Sequence, residues 1–289
     1  MEFLPLALVL ASAVSHGFWN YLAKEGNDKE SFMLLLNLVS LPLLIPVFLL
    51  MIPEIYFPLE ILPFLLVSGM AEVVYFLGLG KAYESGDLSI VYPVARSSPV
   101  FVTIAAAIFL GETFSLMGLL GIFVIFMGVY VLHLKGITRD DIVSPIHYLM
   151  SGSSRYAVIA AMGTTVYSIT DKLGVTTVNP LLYSFWLGFF VTGMMTVVTV
   201  YRKGVKTIRE EFSSPLKVMF AGLLMRGGYL MVLYAMSLAQ VSYILALRQI
   251  SVVLGALMGV VFLGESYGRG RIIGSLIIFS GVFILGVLA

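Results

Sequence analysis

The sequence predicts an all-α integral membrane protein, with ten transmembrane helices arranged as two inverted five-helix repeats around a central cavity. Three observations predict it. Apolar residues make up 60% of the chain and charged residues 11%, with a mean hydropathy of +1.02, whereas a soluble domain has about a quarter of its residues charged to cover a water-facing surface. The few charges gather in short connectors between apolar runs of about 20 residues, the length that crosses a hydrocarbon core. Finally, one layout occurs twice. Ala82–Gly86 leads through an apolar stretch with Arg96 to Phe109-Leu110-Gly111-Glu112-Thr113, and Ala235–Ala239 leads through Arg248 to Phe262-Leu263-Gly264-Glu265-Ser266. In the apolar segments that follow, Gly121 and Gly128 match Gly274 and Gly281 at the same offset.

The elements follow in order. Leu4–Ala23 is the first span; Glu2 precedes it where a leader would be basic, so it reads as a membrane span and not a cleaved signal. Ser12, His16, Trp19 and Ala23 share one face of it, with Asn20 four residues from His16. Phe32–Met51 is the second span, and Pro42 and Pro46 should kink or open it. Ile61–Ala82 is the third and holds Glu72 and Tyr75. In the fourth, Leu88–Leu110, Ser89, Tyr92, Arg96, Pro99 and Thr103 step by three and four, and Pro93 and Pro99 mark flexible points. Phe114–Leu134 closes the first half. Lys135–Ser154 is the longest polar connector.

The second half opens with Tyr156–Lys172, a short span carrying Thr164, Thr165, Ser168 and Thr170. Leu181–Tyr201 follows, then Leu216–Ser237, with Gly222, Arg226 and Tyr229 on one face and Gly227-Gly228 as a flex point. Val241–Phe262 carries Arg248, Gln249, Ser251 and the close-packing pair Gly255 and Gly259, and Arg271–Leu288 ends the series. Residues 1–136 and 155–289 are therefore the two repeats, joined by a connector at 137–154. Five spans per repeat is an odd number, so the second repeat lies inverted. Connectors 1–2, 3–4, 5–6, 7–8 and 9–10 hold nearly all the lysine and arginine outside the spans, and the opposite face has only Lys172. The positive-inside rule makes the crowded face cytoplasmic and both termini external.

Four ionisable residues sit well inside spans: Glu72, Arg96, Arg226 and Arg248. Each costs roughly 2.5–3.5 kcal/mol at the bilayer centre, so they should face one another or an aqueous cavity. Glu72 and Arg226 hold nearly equivalent places in the two halves, as do Arg96 and Arg248, which brings three positive charges and one negative charge to a common centre. Two readings of Glu72 stand: a structural ion pair with one arginine, or a site group. His16 reads as a hydrogen-bonding helix residue or a proton relay, and Trp19, Tyr183 and Trp186 as interface anchors or site walls. Gly111-Glu112 and Gly264-Glu265 read as C-terminal helix turns with glycine in the left-handed position, not as catalytic glutamates.

Enzyme signatures are missing: the sequence has no His-Glu-x-x-His, no Gly-x-Ser-x-Gly and no phosphate-binding glycine loop. With three histidines and no cysteine, no metal site or cofactor is expected, and disulfides are excluded. A net charge of +1 gives no basis for nucleic acid as a partner.

The duplicated Gly-Glu-Thr and Gly-Glu-Ser ends, with their glycine-bearing final helices, resemble the drug/metabolite transporter superfamily, specifically its EamA-type ten-helix members. His16-Gly17-Phe18-Trp19-Asn20 followed by Lys24 is similar to the Trp-Asn…Lys opening of that group, and Tyr167 with Lys172 repeats its spacing without the tryptophan. The resemblance covers essentially the whole chain. It implies an α-helical basket with a central cavity and alternating access without ATP. It also implies small metabolites, often amino acids, as cargo. The family is usually drawn with both termini in the cytoplasm, opposite to the charge-based orientation.

With the residues, it points to a secondary transporter of a small organic anion or zwitterion in a bacterial or archaeal inner membrane. A coupling proton or counter-substrate and a monomeric state are expected. Arg96, Arg226 and Arg248 would attract a carboxylate or phosphoryl group. Glu72 would balance that field, hold an amine or carry a proton. His16, Trp19, Asn20, Tyr75, Tyr92, Tyr229, Tyr243 and Gln249 are the candidate walls. The alternative is a proton-coupled exporter of cations acting through Glu72; a membrane enzyme or assembly factor is the remote one.

Overall fold

The computed structural model describes residues 2–24, 26–52, 54–85, 95, 97–132, 134, 154–254, 257 and 269–288. The described residues form ten α-helices and no strand: α1 (Phe3–Lys24), α2 (Lys29–Met51), α3 (Leu62–Ser85), α4 (Ser98–Phe109), α5 (Leu116–Leu132), α6 (Ser154–Thr177), α7 (Pro180–Glu211), α8 (Pro215–Leu238), α9 (Val241–Leu247) and α10 (Arg269–Phe283). Of these, α1, α2, α3, α7 and α8 are long and apolar enough to cross a membrane by themselves.

The helices pack by exchange between the halves. The first helix of each half lies against the third helix of the other, α1 on α8 and α6 on α3. The second helices meet each other, α2 on α7, and each also touches the other half's third helix. The last helices pair as α5 on α10. This reciprocity is what a pseudo-twofold relation between two five-helix repeats produces.

The repeated glycines are what let α5 and α10 approach. A Cβ on Gly128 would stand 2.7 Å from the backbone nitrogen of Ile278, and one on Gly281 would stand 2.7 Å from that of Ile125. The same Cβ atoms would come within 3.0 Å of the Gly274 carbonyl and 3.1 Å of the Gly121 carbonyl, respectively. Each helix thus offers glycine where the other presents backbone, a close contact that only small residues allow. Between α3 and α6, Gly78 and Gly163 serve the same purpose against the Tyr156 and Ala71 carbonyls.

Three elements differ from expectation. The sixth span is a full helix of 24 residues, two turns longer than its apolar run, because Thr164, Thr165, Ser168 and Thr170 are buried against protein and not lipid. Helix α7 runs past the span end at Tyr201, and Gly204, at φ 77°, kinks it before a second helical piece that reaches Glu211. Pro99 sits in the first turn of α4, where its missing N–H costs nothing, so it starts a helix in place of kinking one. Pro42 and Pro46 lie inside a continuous α2.

The connectors sort by charge as the sequence implies. At one end, Arg202 pairs with Glu30 at 2.7 Å and Lys203 with Asp28 at 2.7 Å, and the Glu211 carboxylate accepts from the N–H groups of Asn27 and Asp28. At the other end, Gly111 takes φ 65° and turns Glu112 toward α9, where its carboxylate accepts from Val241 N–H at 2.7 Å and from Ser242. Lys172, also at that end, caps α8 through the Met236 and Ala239 carbonyls. Gly264-Glu265, Gly255, Gly259, Pro93 and most of the 137–154 connector lie outside the described residues.

Candidate functional site

The site grows from polar residues forced inward by the helices that carry them. On α8, Arg226 is only 3% exposed. Its Nη2 donates to Asn37 Oδ1 at 2.8 Å and its Nε to Ser40 Oγ at 3.4 Å, both on α2. Asn37 is in turn fixed by donating to the Met33 carbonyl one helical turn back. Neutral oxygens therefore hold this guanidinium, which keeps its full positive charge available to the space beside it.

Arg248 sits where the ninth span breaks. Helix α9 stops at Leu247, Arg248 and Gln249 form a turn, and helix resumes over 250–254. Arg248 Nη2 lies 3.1 Å from His16 Nδ1 on α1, and its guanidinium stands 5.8 Å from the ring centre of Tyr229. Broken helices lining a central site recur in transporter folds, because freed backbone groups are tolerated next to a cavity.

Glu72 on α3 faces the same space. It is 6% exposed, and its Oε1 is buried with no hydrogen-bond partner. It makes no ion pair within 4.0 Å among the described residues, though it lies within the field of Arg226, Arg248 and Asp171. Glu72 therefore forms no direct pair with Arg226, which donates to an amide and a hydroxyl, or with Arg248, and Arg96 lies outside the described residues.

These groups line a cavity with ≈ 420 Å³ of empty space, a volume that includes space open to solvent. Glu72, Arg226 and Arg248 supply its charge, His16 and Asn37 neutral polarity. Trp19, Tyr75, Phe76, Tyr167, Tyr229 and Met225 form its walls. The aromatic walls brace one another: Tyr167 meets Tyr75 edge-on at 5.7 Å and Tyr229 at 6.0 Å, and Trp19 meets His16 at 5.0 Å. Trp19, 3% exposed, is a wall and not an interface anchor.

Asp171 on α6 is the residue that sequence reasoning missed. It is fully buried, and its carboxylate accepts hydrogen bonds from Tyr183 Oη at 2.7 Å and from Tyr229 Oη. Tyr183, expected at a membrane interface or a wall, is instead its buried partner from α7. The signal was present: Thr164, Tyr167, Ser168 and Asp171 step by three and four along α6. In the sequence, Asp171 is masked by its neighbour Lys172 and by its place at the end of a short apolar run. Its presence revises the charge expected at the centre, which among the described residues is two guanidiniums and two carboxylates.

Other candidates part from the cavity. Asn20 Nδ2 donates to the His16 carbonyl and does not line it. Tyr243 turns away to α5, where its ring packs on Gly118 and lies 6.2 Å from Phe114. Gln249 borders an adjoining cavity. Arg96 and Tyr92 lie outside the described residues. Asn37 and Tyr167 were not weighed as site residues, because a lone amide or tyrosine in an apolar run looks the same whether it faces a neighbour or a cavity.

Residues 4–134 and 154–287 each match a family model described as EamA-like transporter family. One solved structure, described only as "Crystal structure of protein", superposes with a TM-score of 0.69 over 98% of this chain and 99% of its own at 16% identity, a likeness of fold alone. No curated protein matches the sequence.

Proposed function

Because the chain belongs to the EamA-like transporter family, and is thus a helical membrane transporter of the drug/metabolite type, we propose that the central cavity binds a small zwitterion or organic anion and carries it by alternating access. An amino acid fits best, a phospho- or phosphonate metabolite second. One observation carries the choice: the cavity holds Glu72, with a buried and unpartnered carboxylate oxygen, and two guanidiniums, without a direct ion pair between them. An unpaired buried carboxylate and a partly committed guanidinium are both costly unless a ligand completes them. A molecule bearing an ammonium and a carboxylate does so at once, with Glu72 taking the ammonium and Arg226 the carboxylate.

The two carboxylates also favour a second reading. Glu72 and Asp171 would suit proton-driven export of a cation, with Glu72 alternating between proton and cargo. For either cargo the reading places the protein in a bacterial or archaeal inner membrane, acting as a monomer with a proton or counter-substrate as driving partner.

Thermal stabilisation of the purified protein by amino acids, phosphorylated metabolites, phosphonates and lipophilic cations separates the two. Stabilisation by a zwitterion or anion that is lost in Arg226→Gln supports the first reading. Stabilisation by cations alone, retained in Arg226→Gln and lost in Glu72→Gln, overturns it in favour of the second.

A further inference from the structure

Beside the central cavity lies another with ≈ 400 Å³ of empty space, a volume that includes space open to solvent, and the two share His16, Tyr75, Tyr167 and Arg248 as a common wall. Beyond that wall the described residues that line it are neutral: Gln249, Ser98 and Thr164 are polar, and Leu79, Ala95 and Leu245 are apolar. The break in the ninth span lies at this wall. Gln249 N–H bonds to the Ala246 carbonyl at 3.0 Å, Ser251 N–H to Arg248 at 3.1 Å and Val252 N–H to Gln249 at 2.9 Å. These three-residue steps mark a tight turn, and Arg248 and Gln249 at that turn both border the second cavity.

Gln249 is 4% exposed. Its Nε2 makes a long bond of 3.4 Å to the Leu245 carbonyl, and its Oε1 is buried without a partner. Leaving a buried amide oxygen unsatisfied is unfavourable, so the site is incomplete as it stands. An apolar occupant would leave that cost in place. A second charge would be stripped of water with no opposite charge among the described residues to meet it beyond the shared wall. An uncharged group with a donor, an amide or a hydroxyl, meets both conditions.

We propose that Gln249, with Ser98 and Thr164, forms a selectivity subsite for a neutral hydrogen-bonding group at the far end of the cargo, while Arg226 and Glu72 hold its charged head. This rests on the zwitterion reading and narrows it to cargo with an amide or hydroxyl side chain. Arg248, bordering both cavities, separates the head from the tail.

The test compares affinities of the purified full chain for L-glutamine and L-threonine with those for L-norleucine and L-leucine, using L-alanine, too short to reach the subsite, as the report on head binding. Wild type should favour the polar pair by about tenfold, the loss expected for one unsatisfied buried group. Gln249→Leu should bind L-alanine as wild type does and bring the two pairs within about threefold of each other. If that variant does not fold, Thr164→Val serves in its place, with the same narrowing expected. A polar preference unchanged in a folded variant that binds L-alanine normally overturns the subsite and leaves the head-group reading intact. Failure of every zwitterion, L-alanine included, to bind wild type overturns the head-group reading and the subsite with it.

Discussion

Glu72 and Asp171 are both buried carboxylates in one electrostatic cluster, yet their surroundings assign them different work. Glu72 presents an unpartnered oxygen to the cavity, and Asp171 is fully engaged by Tyr183 and Tyr229. Glu72→Gln should therefore weaken zwitterion binding roughly 10–100-fold, the range for losing a charged hydrogen-bond partner, with little change in melting temperature. Asp171→Asn should act the other way round. It leaves two buried tyrosine hydroxyls poorly matched, so it should lower stability by about 1–3 kcal/mol and affect binding only through Tyr229. Tyr229→Phe reproducing the binding defect of Asp171→Asn would support this positioning role, which calorimetric and thermal-melt measurements together can resolve. At this scale the sequence identified Glu72, Arg226 and Arg248, each conspicuous in an apolar run, but not Asp171, which adjoins Lys172 at a span end. It did not identify their partners, because Asn37 and Ser40 look like ordinary span residues until α2 is laid against α8.

At the scale of elements, the α5–α10 contact depends on glycines that the sequence exposed through the repeat. Gly128→Ala would drive a Cβ to 2.7 Å from the Ile278 nitrogen, so the helices must separate at a cost of about 1–3 kcal/mol. Gly227 is the control: nothing lies within 4 Å of a Cβ there, and α8 is helical through it, so Gly227→Ala should stabilise by about 0.5–1 kcal/mol. If that variant also transports at the wild-type rate, Gly227 is not a hinge.

The α1–α2 connector gives a pH dependence. Burial raises the Asp28 carboxyl, but the hydrogen bond from Lys203 and those from Ser31 outweigh it, and Asp28 stays below its ordinary range. A depressed carboxyl contributes stability that is whole above its unfolded value, about 4, and that fades as pH falls through the lower folded value. Melting temperature should therefore drop more steeply in acid for wild type than for Asp28→Asn.

The whole molecule is closed by ties between its halves. At the basic end, Glu30 and Asp28 of the first half hold Arg202 and Lys203 of the second; at the opposite end, the Glu112 carboxylate of the first half caps α9 of the second. Opening toward the basic face must break the first set and can leave the second intact. Glu30→Gln should thus favour that opening. The chain has no cysteine, so a single one introduced at Leu79, on the wall of the second cavity, would report it through faster labelling by a polar maleimide. Equal rates with and without Glu30→Gln would show that this ion pair does not latch the halves.

The sequence by itself determined the number of spans, the duplication and the sorting of connectors by charge. Each of these is written in one dimension as the length of an apolar run, a recurring layout or the placement of lysine and arginine. The tertiary structure alone decided which charges meet. Arg226 donates to Asn37 and Ser40 and not to Glu72; Asp171 joins the cluster through two tyrosines; Tyr243 leaves it for Gly118. The reason is geometric. Hydropathy fixes how deep a residue sits, but the rotation of each helix against its neighbours fixes what it faces, and that rotation is set by close contacts such as Gly128 on Ile278, which no single run of sequence contains.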